Sequence, residues 1–237
     1  MRVVFISPCL STQESYRGSS LFILDIASIE ITPLPTTLGG DYDPAWSPDG
    51  NFIAFTSLRE NDEAKIFIYD LSEGTVEKLS EFPYGLDLQP SWSPEGAQIV
   101  FVSTRNGPYQ IWTMAVDGSN QTRFSASQDL KNTHPAWSPD RETIVYTQSS
   151  GEGTVTRLVS ARYNGEEFKE FMIQPEVNLV PMREAEFSPD GVWLVYESWP
   201  EGNNHDIYIM TPNGTNRTRV TVNPALDFDP TWRPIFP

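Results

Sequence analysis

One eight-residue pattern recurs along the chain. Asp43-Pro-Ala-Trp-Ser-Pro-Asp-Gly50 returns as Gln89-Pro-Ser-Trp-Ser-Pro-Glu-Gly96, His134-Pro-Ala-Trp-Ser-Pro-Asp140 and Glu184-Ala-Glu-Phe-Ser-Pro-Asp-Gly191, and in shortened form as Asp229-Pro-Thr-Trp-Arg-Pro234. The anchor aromatics Trp46, Trp92, Trp137, Phe187 and Trp232 stand 46, 45, 50 and 45 residues apart. Such a period is the length of four short strands, one blade of a β-propeller.

The residues between anchors support that unit. Ser-Pro-Asp-Gly supplies a tight turn: proline presets φ, Ser and Asp bond nearby backbone, and Gly accepts positive φ. Apolar, β-branched runs follow at 52–56, 98–102, 143–147 and 193–197 and read as second strands. Third strands are expected at 65–69, 110–114 and 206–210. Turns at Asp117-Gly-Ser-Asn120 and Pro212-Asn-Gly-Thr215 lead to short outer strands at 121–124 and 217–220. A lone blade cannot bury both faces of its sheet, so blades must stack. The anchors are expected to fill the space between neighbours as packing residues.

The ends set the blade number. The chain opens on a second-strand pattern, Arg2-Val-Val-Phe-Ile6, with third-strand material at 21–24 and a fourth strand near 31–34, whereas Trp232 is an anchor with no blade after it. The expectation is an all-β, five-bladed propeller with four antiparallel strands per blade, closed by the C-terminal strand joining the N-terminal blade. It is a single domain over 1–237: blade one 1–37 plus 228–237, blade two 41–82, blade three 87–126, blade four 132–176 and blade five 182–222. Blade four departs from the repeat. Arg141 and Glu142 replace the turn glycine, a long third strand spans 154–162, and Asn164-Gly165 reads as a hairpin turn before a linker at 174–181.

Charge narrows the partners. Against 32 Asp and Glu stand 16 Lys and Arg, a formal net charge of −16. This argues strongly against a nucleic-acid backbone or an anionic membrane as partner, while permitting cationic partners. Cys9 is the single cysteine, so no internal disulfide forms. The first nine residues hold too short an apolar run for a signal peptide, and no stretch approaches the ~20 apolar residues of a membrane span. The protein is therefore expected in the cytoplasm, or outside it as a mature or excised part of a longer protein.

Repeated Pro-x-Trp-Ser-Pro-Asp-Gly, then Ile-x-Phe-x-Ser, then Ile-Tyr-x-Met with Asp-Gly-Ser-Asn, resembles the TolB-type β-propeller repeat, also found in the propellers of prolyl-oligopeptidase-like peptidases. The resemblance covers nearly the whole chain and implies a bacterial platform for protein or peptide binding. In the family's namesake that platform works within a periplasmic cell-envelope complex. It equally allows a detached accessory propeller of a peptidase or envelope protein. Because one fold serves many roles, the site has to be read from its residues.

The residues leading into each inner strand are the candidates. Three before each anchor stand Asp43, Gln89, His134, Glu184 and Asp229; five before stand Asp41, Asp87, Asn132, Met182 and Asp227. Asp41, Asp43, Asp87, His134, Glu184, Asp227 and Asp229 thus form an acidic candidate mouth, with Lys131 and Arg183 as the cations nearest in sequence. Three roles compete. The carboxylates cap backbone N–H groups at strand starts. Alternatively they bind a cationic peptide or amine, with Tyr16, Tyr42, Tyr84, Tyr109, Trp199 and Phe228 as stacking surfaces. A third role has Asp43, Glu184 and Asp229 hold a hard cation such as Ca²⁺, the one cofactor considered. His134 reads as a strand-entry residue, since one His beside carboxylates is weak evidence for zinc.

The expectation is a non-catalytic, monomeric module binding a protein or peptide. The alternatives are a propeller glycoside hydrolase using paired carboxylates or a lectin-like carbohydrate-binding domain. Against catalysis, no Gly-x-Ser-x-Gly elbow, metal-binding His pair or phosphate loop is present. Three Asn-x-Thr sequences, at Asn120, Asn213 and Asn216, lie in third-to-fourth strand turns, where turn chemistry accounts for them.

Overall fold

A computed structural model describes residues 1–8, 18–35, 37, 39–125, 129–150, 156–163, 168–169 (backbone only), 180–200, 202 and 204–232. The regular structure of these residues is all β, in five small antiparallel sheets that are the blades of a five-bladed β-propeller. The first sheet holds β1 (Arg2–Pro8), β2 (Ser19–Asp25) and β3 (Glu30–Pro33). The second holds β4 (Asp41–Trp46), β5 (Phe52–Ser57), β6 (Lys65–Asp70) and β7 (Thr75–Lys78). The third holds β8 (Asp87–Trp92), β9 (Gln98–Ser103), β10 (Gln110–Ala115) and β11 (Thr122–Arg123). The fourth holds β12 (Lys131–Trp137), β13 (Thr143–Ser149), β14 (Thr156–Arg162) and β15 (Phe168–Lys169). The fifth holds β16 (Met182–Phe187), β17 (Leu194–Ser198), β18 (Asp206–Met210) and β19 (Thr218–Arg219). Within each sheet, strands neighbour one another in chain order. The Asn164-Gly165 turn and most of the 174–181 linker lie outside the described residues.

The Ser-Pro-Asp-Gly turns work as their chemistry demands. Ser47 Oγ donates to Asp49 Oδ1 (2.6 Å) and accepts from Phe52 N (2.9 Å), while Gly50 N donates to Ser47 O (2.9 Å) with Gly50 at φ 70°. The Ser47 hydroxyl and the Asn51 N–H hold the Asp49 carboxyl below its ordinary range. Blade four keeps this turn without glycine, and Arg141 itself takes φ 69°.

A second device repeats just before each anchor. Asp43, Gln89, His134, Glu184 and Asp229 have φ of 49°, 53°, 51°, 55° and 49°. At the first four, the register slips by one residue, between Tyr42 and Ala45, Leu88 and Ser91, Thr133 and Ala136, and Arg183 and Glu186. This is a β-bulge, which bends the strand and re-aims a side chain.

The chain divides into two compact units, residues 1–107 with 112–122, and residues 108–111 with 123–237. The first unit buries Leu21, Ile53, Phe55 and Phe67 in one cluster and Ile99, Phe101, Trp112 and Met114 in another. Trp92 packs on that second cluster, stacks on Phe52 and donates its Nε1–H to Ala45 O (3.0 Å). The second unit buries Val145, Leu158, Phe187, Leu194, Tyr196 and Met210. Each such side chain contributes about 1.5–3 kcal/mol on burial. Trp232 Nε1 donates to Glu186 O (3.1 Å), one residue before the Phe187 anchor, as Trp92 does to the residue before Trp46. The C-terminal segment is thus seated on β16 as an inner strand seats on its neighbour. Of the first sheet, three strands are present among the described residues.

Candidate functional site

In the first unit the acidic residues are engaged internally. Asp41 and Asp87 are each 1% exposed. Arg59 Nη2 donates to both oxygens of Asp41 (3.2 Å each) and Ser57 Oγ to Oδ1 (2.5 Å). Arg105 Nη2 donates to Asp87 Oδ1 (2.8 Å) and Nη1 to Gln121 Oε1 (2.6 Å), with the guanidinium 4.7 Å from the Trp112 ring centroid. Asp41 and Asp87 are thus offset by Arg59 and Arg105 rather than by Lys131 and Arg183, the cations nearest the candidate mouth in sequence. A signal for these pairs was present, because Arg59 and Arg105 both follow their anchor by thirteen residues. Asp43 takes the capping role: its Oδ2 accepts from Thr56 Oγ1 (3.1 Å) and from the bulge amide of Gln89 in the next blade (3.3 Å).

The second unit breaks this pattern. Thr56 and Thr147, each ten residues after an anchor, accept from the bulge amide of the next blade, Gln89 N (3.1 Å) and Glu184 N (3.0 Å). Ten residues after Phe187 stands Glu197 instead, fully buried. Its Oε1 accepts from Arg183 Nε (3.0 Å) and pairs with His205 Nδ1. Arg183 Nε also lies 3.4 Å from Glu184 Oε1, and His134 Nε2 lies 3.3 Å from the same oxygen. The Glu184 carboxyl meets that of Asp229, which is exposed. An aromatic wall adjoins: Trp199 stacks on His205 (centroids 4.3 Å), Phe228 tilts against His205 (5.3 Å), and Arg183 lies 5.5 Å from Trp199.

His134, Glu184 and Asp229, separate in sequence, are thus brought together. Asp227 donates its backbone N–H to His205 O (2.9 Å), while its carboxyl accepts from Asn223 Nδ2 (3.3 Å). Of the aromatic candidates, Tyr42 is buried, Tyr84 exposed and Tyr16 outside the described residues. Sequence reasoning missed Glu197 and His205; the cue was a glutamate at a repeat position otherwise held by Thr or Val. Among the described residues, no group of three or more His, Cys, Asp or Glu is arranged to hold a metal ion.

Burial, and then the hydrogen bond with Asp229, push the Glu184 carboxyl up to about 9, against the pull of Arg183. Like-charged carboxyls in contact cannot both ionise cheaply, so a proton sits between them near neutrality. Burial, with help from the Arg183 charge, pushes the His134 imidazole down to about 4, although a third of its surface reaches water and moderates the penalty. His134 is neutral at pH 7.

One stability prediction follows from the sign of the Glu184 shift. The folded state binds this proton more tightly than the unfolded chain, whose carboxyl titrates near 4.5. The contribution is full below that pH and is lost as pH rises toward about 9. Glu184→Gln keeps an amide donor toward Asp229 and removes the titration. Its stability relative to wild type is expected to match at pH 5 and to grow with pH, by at most about 1.4 kcal/mol per pH unit. Urea unfolding of both proteins at pH 5, 7 and 8.5 checks this; parallel pH profiles would show that Glu184 does not hold the proton.

A family model described as the TolB beta propeller domain matches residues 12–171. The chain belongs to the TolB β-propeller domain family. Among curated relatives it is 31% identical over 214 residues to the uncharacterized peptidase YuxL of Bacillus subtilis, covering 88% of this chain and 30% of the relative. It is 29% identical over 127 residues to the Tol-Pal system protein TolB of Anaeromyxobacter dehalogenans, covering 53% of this chain and 27% of the relative. The chain therefore spans less than a third of the length of these two curated relatives. The crystal structure of TolB from Acinetobacter baumannii superposes with a TM-score of 0.74 at 22% identity, over 93% of this chain and 52% of that one, a likeness of fold. Of the acidic cluster, only His134 falls inside the segment matched to the TolB model.

Proposed function

We propose that this TolB-family propeller is a non-catalytic module that binds a protein or peptide, and that the cluster around Glu184, Glu197 and Asp229 receives a cationic group of the partner. The observation that carries the reading is the break in repeat symmetry at Glu197. Where the second and fourth blades place a threonine hydroxyl to cap the next bulge, this blade places a buried carboxylate, and three acidic groups face a single guanidinium beside an aromatic wall. Nothing in the fold itself calls for that arrangement, because the Thr56 and Thr147 blades form the same bulge without it. Asp229 and Phe228 keep the cluster open to solvent.

The test is binding to an array of defined peptides spanning basic, neutral and acidic compositions. Asp229→Lys is expected to weaken capture of basic peptides by about tenfold or more, the cost of placing like charge at the contact, with an unchanged fold by circular dichroism. Loss of capture in Asp43→Lys but not in Asp229→Lys would move the site to the first unit. Turnover of glycans or peptides that disappears in Glu184→Gln would overturn the non-catalytic reading. A second reading, the accessory propeller of a peptidase, is favoured by the YuxL match, which runs over 88% of this chain but 30% of that protein.

A further inference from the structure

We infer that the group captured between Glu184 and Asp229 is a primary ammonium, carried by a lysine side chain or by the free N-terminus of a peptide. The inference rests on the binding reading above and deepens it by naming the ligand chemistry. Glu184 is the key side chain: it is 10% exposed, and its Oε2 has no donor from the protein. Its other oxygen already faces Arg183 and His134, so a ligand meets the exposed Asp229 carboxyl first, with the buried Glu184 Oε2 behind it. Glu197, fully buried, also keeps an Oε2 without a donor, its Oε1 being taken by Arg183 and His205. Three carboxyl groups thus share one permanent cation, Arg183, and the cluster is short of positive charge.

Two carboxyls in contact repel when both are ionised, and a proton or a cationic group between them relieves that repulsion. A planar guanidinium is already supplied by Arg183, which bridges the Oε1 atoms of Glu184 and Glu197. The remaining Glu184 oxygen is itself buried, so little room is left around it. That favours a compact point charge on a flexible stem over a second planar fork. Exposed Phe228, beside Asp229 in sequence, offers apolar surface to that stem. The groups facing Glu184 are Arg183, His134, Asp229 and Glu197, with His205 on Glu197. At neutral pH an incoming ammonium takes the place of the Glu184 proton, which leaves to solvent. Capture strengthens as pH rises toward the Glu184 titration.

The experiment is an NMR titration of the full chain, following the Trp199 indole N–H, with butylammonium, butylguanidinium and calcium as separate probes. Acetyl-Gly-Lys-Gly-amide and Gly-Gly-Gly-amide then distinguish a lysine from an N-terminal source. Butylammonium is expected to saturate the shift more tightly than butylguanidinium. Its apparent affinity should rise by up to about tenfold per pH unit between pH 6 and 8, the limit for release of one proton. The response should be weakened by about tenfold in Asp229→Asn. In Glu184→Gln, which keeps the fold, the pH dependence should vanish. Preference for butylguanidinium or calcium, or an unchanged pH profile in Glu184→Gln, overturns the inference. Basic peptides that bind in an Asp229-dependent way but are not displaced by butylammonium would sink the ammonium assignment alone. Peptide binding indifferent to Asp229 would sink both readings.

Discussion

Arg105→Ala is expected to destabilise the protein by about 3–5 kcal/mol, the cost of stranding a buried carboxylate. Arg105 and Asp87 are 4% and 1% exposed, so water cannot replace the lost guanidinium. The same side chain bonds Gln121 and Ser103 and lies within 5.4 Å of the Phe82, Phe101 and Trp112 ring centroids, so truncation also removes packing. Against a total stability of about 5–15 kcal/mol, such a loss brings the fold near its threshold. Urea unfolding followed by circular dichroism measures it. Adding Asp87→Asn to Arg105→Ala should recover about 1–3 kcal/mol, because the uncompensated charge is then gone. A cost below about 1 kcal/mol would mean the pair behaves as a solvated surface bridge.

Trp92→Ala is expected to cost about 3–5 kcal/mol, as truncation of a large buried aromatic does. Trp92 is 8% exposed, joins the cluster of Ile99, Phe101 and Met114, stacks on Phe52 and bonds Ala45 O in the preceding blade. The repeat supplies its own control. Phe187 occupies the equivalent position at the same 8% exposure, so an aromatic without the indole N–H is accepted there. Trp92→Phe should cost about 1–2 kcal/mol, one hydrogen bond and a little volume. Thermal and urea unfolding of the two variants separates the contributions. Equal losses in Ala and Phe variants would make the hydrogen bond, not the packing, the anchor's main role.

Most of the fold was legible because it repeats. Period, turn chemistry and alternation all pointed to four-stranded units, and the strands expected within the blades formed within a residue or two of their places where the structure describes them, whereas the expected closing strand at the C-terminus has no strand structure over its described residues 228–232. The bulge was half legible: the residue three before each anchor was singled out for its position, but its positive φ was not foreseen. Four of those five residues precede proline, and neither Asp nor Gln there announces a left-handed backbone.

The site was less legible, for a physical reason. Sequence counts carboxylates but not their partners. Asp41 and Asp87 looked like Asp229, yet an arginine eighteen residues on neutralises each of the first two, while Asp229 stays exposed beside Glu184. Glu197 looked like an ordinary strand residue until its pairing with Arg183 and His205 placed it in the cluster. By itself the sequence determined the blade, its turns and its anchors, because those depend on contacts within about fifty residues. Only the tertiary structure decided which charges are satisfied and which stay short of a cation, because that depends on burial and on partners brought in from other strands and the neighbouring blade.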